Sequence, residues 1–125
     1  MSIYSVNVDL SNPVVDLDHL ELLVGPDFEE SEALLDDLIS LFEEENEPHL
    51  NLLENACEIS DVDATIKHVH FIAGSSGNMG LARLSKYCRA VERSVRDQTE
   101  SPSPEHSSVV RELYQSSIAA FKEIR

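Results

Sequence analysis

The chain has 125 residues, enough for one domain with a single core, and 24 Asp and Glu against 9 Lys and Arg give a formal net charge of −15. Such acidity argues against nucleic acid as a partner, because phosphate neutralisation needs a surplus of cations, while a hydrophobic fraction of 42% is too high for a disordered polyanion. No apolar run reaches the roughly 18 to 20 residues of a membrane span, Met1 to Val8 hold neither the basic residue nor the apolar block of an export signal, and Cys57 and Cys88 are too few for a disulfide framework and lack metal spacing. A soluble, reduced, cytoplasmic domain without contact to membranes is expected.

In chain order, Tyr4, Val6, Val8 and Leu10 alternate with polar residues, a period of two. No partner strand follows, so residues 1–12 are expected to form an extended tail along the rest of the molecule, with pairing to the same segment of another chain as the alternative. Leu17, Leu20 and Val24 then mark a short helix from Asp16, ended by Gly25-Pro26. Asp27 offers a cap for a second helix, with Glu29, Glu30 and Glu32 in its first turn, where the helix dipole favours anions. Its apolar residues are Leu34, Leu35, Leu38, Leu41 and Phe42, then Leu50, Leu52, Leu53, Ala56 and Cys57 after Pro48, which predicts one bent helix, with two helices as the alternative.

A third helix starts near Ser60–Asp61 and runs to about Met79, with Val62, Ile66, Val69, Ile72, Ser76 and Met79 as its stripe. The fourth has the cleanest period: Leu81, Leu84, Cys88, Val91 and Val95. Ser101-Pro102-Ser103-Pro104 is a connector, and the last helix uses Val110, Leu113, Ser117, Ala120 and Ile124. Residues 13–125 are therefore predicted to be all-α: an antiparallel four-helix bundle preceded by a short extra N-terminal helix.

The net charge is unevenly spread. Residues 1–66 hold 18 acids and no Lys or Arg, whereas residues 67–125 hold 9 basic and 6 acidic side chains. This split suggests two faces meeting different neighbours, with solubility alone as the alternative reading.

The informative segment is Lys67-His68-Val69-His70-Phe71-Ile72-Ala73-Gly74-Ser75-Ser76-Gly77-Asn78-Met79-Gly80. Each glycine inside a helix costs about 1 kcal/mol relative to alanine, so three in seven residues call for a reason. If Val69 faces the core, His70 points outward and shares its face with Lys67, Gly74 and Gly77. His68 lies about 200° round the helix from His70 and cannot share that face, nor can the pair chelate a metal from one helix. His19, His49 and His106 read as surface residues. No paired Glu-x-x-His motif for a di-iron bundle and no phosphate-binding P-loop is present, and Glu43-Glu44-Glu45 reads as a solvated face; no metal site is expected.

His70-Phe71-Ile72-Ala73-Gly74-Ser75-Ser76 followed by Gly80 resembles the phosphorylation-site helix of histidine-containing phosphotransfer (HPt) domains, whose pattern is His-x-(apolar)-Lys-Gly-Ser-Ser with a further glycine downstream. Leu81-Ala82-Arg83-Leu84 through Cys88 and Glu92 resembles that family's next helix, and the resemblance extends from about Pro13 to the C-terminus. The chain departs from the pattern at one position: Ala73 stands where the family has lysine.

The resemblance implies a phosphorelay intermediate. His70 would take a phosphoryl group from the aspartyl phosphate of a response-regulator receiver domain, including that of a hybrid sensor histidine kinase, and pass it to another receiver. The chain would be a covalent carrier and not an enzyme, with no cofactor of its own, because Mg²⁺ sits on the receiver. The alternative is a non-transferring module that docks on receivers and sequesters them. Gly74, Ser75 and Gly77 would support the docking face. Lys67, Arg83 and Lys86 are candidates to replace the missing lysine charge, and Ala73→Lys is expected to speed transfer or prolong the phosphohistidine. A monomer is expected.

Overall fold

The computed structural model describes residues 6–124. Five helices follow one another, with no strand among the described residues: α1 (Leu17–Val24), α2 (Glu32–Glu58), α3 (Val62–Asn78), α4 (Ala82–Arg96) and α5 (Pro104–Lys122). The helices α2, α3, α4 and α5 close a ring in which each packs on two others: α2 on α3, α3 on α4, α4 on α5 and α5 on α2. Cross-helix pairs run in opposite directions along the chain. Asn46 meets Ser75 while His49 meets His68, and Arg111 meets Asn51 while Lys122 meets Glu43. The result is the antiparallel four-helix bundle with an extra N-terminal helix that the apolar periods predict.

Local sequence explains most helix boundaries. Asp61 caps α3 by accepting the Ala64 N–H at 3.1 Å, an arrangement worth about 1 kcal/mol. Pro104 occupies the first turn of α5 behind Ser103, whose backbone N–H donates to His106 Nδ1. The start of α2 differs from expectation. Asp27 accepts from the backbone of Glu30 and Ser31, but this closes only a turn, and the helix itself begins at Glu32. The helix then continues through Pro48 to Glu58.

The core is a single cluster of side chains from every helix, including Leu20, Leu53, Ile72, Leu84 and Val110, each fully buried. Burying such a side chain contributes about 1.5–3 kcal/mol. The stripe of α4 matches its period throughout. In α2 the buried set includes Ile39 and Asn46, while Leu34, Leu41 and Leu52 are about half exposed. In α5 the buried residues are His106, Ser107, Val110, Tyr114, Ser117 and Phe121, while Leu113 and Ile124 of the expected stripe pack on the core from partly buried positions. His106 is thus a core residue, fully buried with its Nε2 2.9 Å from Glu100 Oε2, and not a surface histidine.

α1 closes the end of the bundle where α3 turns into α4. Leu20 enters the core, the Asp16 N–H donates to Gly80 O at 2.7 Å, and His19 Nε2 lies 3.0 Å from Asn78 O. Gly80 has φ +74°, and a Cβ there would meet Asp16 O at 3.1 Å, so both backbone conformation and space demand glycine. The alternation that includes Tyr4 lies partly outside the described residues. From Val6 onward the segment runs over α4 without regular structure: Val6 and Val8 pack on the core, and the Val6 N–H donates to Glu100 Oε1.

Candidate functional site

On α3, Val69 and His68 are buried and His70 is two-thirds exposed. The helical period thus turns His70 outward, as the placement of Val69 in the core requires. Two different surfaces flank it. On the α2 side lies an apolar groove of about 430 Å³, lined by Leu38, Leu41, Phe42, Phe71 and Met79, with His70, Gly74 and Ser75 on its α3 wall. On the other side α4 carries five of the nine basic residues, Arg83, Lys86, Arg89, Arg93 and Arg96, with Glu92 as its one acid.

Glu92 reaches back to His70. Its Oε2 lies 3.0 Å from His70 Nδ1 and its Oε1 3.2 Å, and Arg96 Nη2 donates to the same Oε2 at 2.8 Å. Partial burial on its own would raise the Glu92 carboxyl, but the hydrogen bonds from Arg96 and His70 together with the Arg96 charge outweigh it and hold the group below the usual carboxylate range. An ionised carboxylate accepts only, so Nδ1 of a neutral His70 is the protonated nitrogen. Nε2 is then left with its lone pair toward solvent. The exposed imidazole is thereby oriented and held in one tautomer.

The other anticipated residues fall in different places. Lys67 is exposed on the groove side of α3, where its charge acts on His49 and His68. Ala73 is fully buried in the core, and its carbonyl accepts from Ser85 Oγ at 2.8 Å; it does not lie open beside the imidazole. Gly74 has nothing within 4 Å of where a Cβ would stand, so it keeps the surface beside His70 clear. Gly77 serves helix packing instead: a Cβ there would come 3.1 Å from Ser85 Oγ on α4. Ser75 accepts a hydrogen bond from Asn46 Nδ2 at 2.9 Å, tying α3 to α2 at the groove.

Arg83 is committed elsewhere. Its Nε donates to Asn12 O and its Nη2 to Leu10 O, while its backbone N–H donates to Pro13 O, so it fastens the N-terminal segment to α4 and is removed from the phosphate position. Lys86 is exposed between that segment and the α3–α4 turn.

His49, expected on the surface, is half-buried. Its ring stacks on Phe71 with centroids 3.8 Å apart, and its Nδ1 shares a hydrogen bond of 2.9 Å with Nδ1 of His68. Burial first, and then the Lys67 charge, lower the proton affinity of His49; burial, His49 and Lys67 do the same for His68. Glu92 and Arg96 are the site residues that spacing along one helix missed. The available signal was a lone acid among the cations of α4, four residues before an arginine. Among the described residues no group of three or more His, Cys, Asp or Glu side chains could hold a metal ion, and no helix is long and apolar enough to cross a membrane.

Comparison with known proteins bears on this arrangement. The family model described as Hpt domain matches residues 37–120. Among solved structures, the crystal structure of histidine-containing phosphotransfer protein B (HptB) from Pseudomonas aeruginosa PAO1 is similar, with a TM-score of 0.72 and 25% sequence identity over 89% of this chain and 93% of that one. No curated protein matches the chain.

Proposed function

The chain belongs to the Hpt domain family, whose members act as phosphocarriers in phosphorelays, and on that premise we propose that His70 is its phosphoryl-accepting residue. The observation that carries this reading is the exposed imidazole whose Nδ1 is held by Glu92 at 3.0 Å. The lone pair on Nε2 attacks the phosphorus of an aspartyl phosphate on a receiver domain. The N–P bond forms as the P–O bond to the aspartate breaks, and the electron pair leaves with the carboxylate. No proton has to move. The ring gains positive charge as it takes the phosphoryl group, and the Glu92 carboxylate at Nδ1 offsets that charge. A second receiver aspartate later takes the group by the reverse displacement.

The flanking surfaces fit such a partner. A receiver's phosphorylation site is rich in carboxylates and holds Mg²⁺, so the basic side of α4 complements it, while the groove beside Phe71 accepts an apolar element. The carrier needs no cofactor of its own and acts as a monomer, and its receivers place it in the cytoplasm. A second reading, a module that docks on receivers without accepting phosphate, has the alanine at position 73 in its favour.

One assay separates the two. A receiver domain charged with labelled acetyl phosphate is mixed with the wild type and with His70→Gln. Label is expected on the wild type and absent from the variant. An unlabelled wild type, while the receiver alone keeps its phosphate, would overturn the carrier reading; binding without transfer would establish the sequestering one.

A further inference from the structure

We propose that Arg89 supplies, from α4, the positive charge that meets the phosphoryl group on His70; this rests on His70 being the acceptor. The argument is one of register. Glu92 reaches His70 across the α3–α4 interface, and Ser85 on the same helix donates to Ala73 O and lies against Gly77. The two helices are antiparallel, so the α4 stripe 85–89–92 runs alongside α3 from Gly77 back to His70. Arg89 stands three residues from Glu92 toward Ser85, about 4.5 Å along the axis, and so comes level with Ala73 and Gly74.

Ala73 itself lies about 60° round α3 from His70, on the side packed against α4. A cation at position 73 and the Arg89 guanidinium would therefore approach the imidazole from the same side. Position 73 is closed, since Ala73 is fully buried. Arg89 is exposed and, among the described residues, has no hydrogen bond or ion pair, and the surface over Gly74 is open.

The remaining cations are less well placed. Arg83 is bound to the N-terminal segment, Arg96 to Glu92, Lys67 stands on the groove side, and Lys86 lies further along α4 between the N-terminal segment and the α3–α4 turn. Arg93, though exposed, neighbours Glu92 on its far side from Gly74. During transfer the phosphoryl group carries its charge on three equatorial oxygens, and a planar guanidinium can donate two hydrogen bonds to them. The bond changes are those already described; Arg89 gains and loses no proton.

The test compares wild type, Arg89→Gln, Arg89→Lys and Arg93→Gln as full chains, with circular dichroism confirming equal helicity. Two donors are used: a phosphorylated receiver at saturating concentration, and phosphoramidate, which needs no partner. Arg89→Gln is expected to lose about tenfold in maximal transfer rate, the effect of one charge-assisted hydrogen bond, and to charge more slowly from phosphoramidate; Arg89→Lys should retain most of both rates. Arg93→Gln, with the same net charge, should raise the receiver concentration needed for half-saturation and leave the maximum in place. An unchanged maximum in Arg89→Gln, or an equal loss in Arg93→Gln, would overturn the assignment. If the receiver fails to charge the wild type, the carrier reading fails separately, and Arg89 stands or falls on the phosphoramidate rates.

Discussion

Nδ1 of His70 on α3 and Oε2 of Glu92 on α4 lie 3.0 Å apart, joining two residues 22 positions apart in sequence. The carboxylate fixes which ring nitrogen keeps its proton and thereby which one is free to react. The contact is partly exposed, and its value lies in orientation more than in stability.

Removing it should change chemistry before it changes folding. In Glu92→Ala the melting temperature is expected to stay within a few degrees, since exposed pairs contribute about 0–1 kcal/mol. Nitrogen-15 NMR of the ring should show His70 moving from a predominantly Nδ1–H tautomer toward Nε2–H, with transfer slowed by about tenfold, a change of roughly 1.4 kcal/mol in barrier. A wild-type ring already in the Nε2–H form would contradict this arrangement.

Restoring the lysine of the family pattern should not help. Ala73 is fully buried against α4, so Ala73→Lys forces a long cation into a packed interface beside Ser85. Overpacking of this kind costs about 1–3 kcal/mol. A lower melting temperature without faster transfer is expected. A variant that is as stable as wild type and transfers faster would show that the interface can open at this point.

The glycines should respond with opposite signs. Gly74→Ala adds a methyl to open space and gains helix propensity, raising stability by up to about 1 kcal/mol while crowding the face beside His70. Gly80→Ala meets Asp16 O at 3.1 Å in a left-handed backbone, and should lose about 1–2 kcal/mol or more. Chemical denaturation of the two variants measures both. Equal effects would mean that the α1 contact at Gly80 carries no weight.

Acidification should act through the His49–His68 pair. Both have a proton affinity lowered from the ordinary value of 6.5 in the folded chain, so the unfolded chain binds more protons and stability falls as pH drops. The contribution is complete above about 6.5 and is lost as pH passes down through the lowered folded values. Melting temperature measured between pH 7.5 and 5 should decline more in wild type than in His68→Gln. Parallel curves would exclude the pair as the source.

The fold was largely legible because a helix writes its buried face into the spacing of its own residues. The stripe of α4, the cap at Asp61 and the proline at the start of α5 are local features, and each lies where spacing and chemistry put it. Misplaced stripes arose where polar residues are buried. Asn46 and His106 face inward because the Asn46 amide N–H groups donate to Phe42 O and Ser75 Oγ and the His106 ring meets Glu100, and an apolar count passes over them.

The outward turn of His70 on α3 with Gly74 beside it, and the confinement of positive charge to the second half of the chain, can be read from the residues alone, since facing and composition are properties of one segment. What stands opposite His70 is settled by packing between helices. The burial of Ala73, the capture of Arg83 by the segment after Val6, and the arrival of Glu92 at the imidazole all depend on the register between α3, α4 and the N-terminal segment. That register is set by contacts such as the close approach of Ser85 to the bare backbone of Gly77 across the interface. Spacing along a single helix carries no record of it.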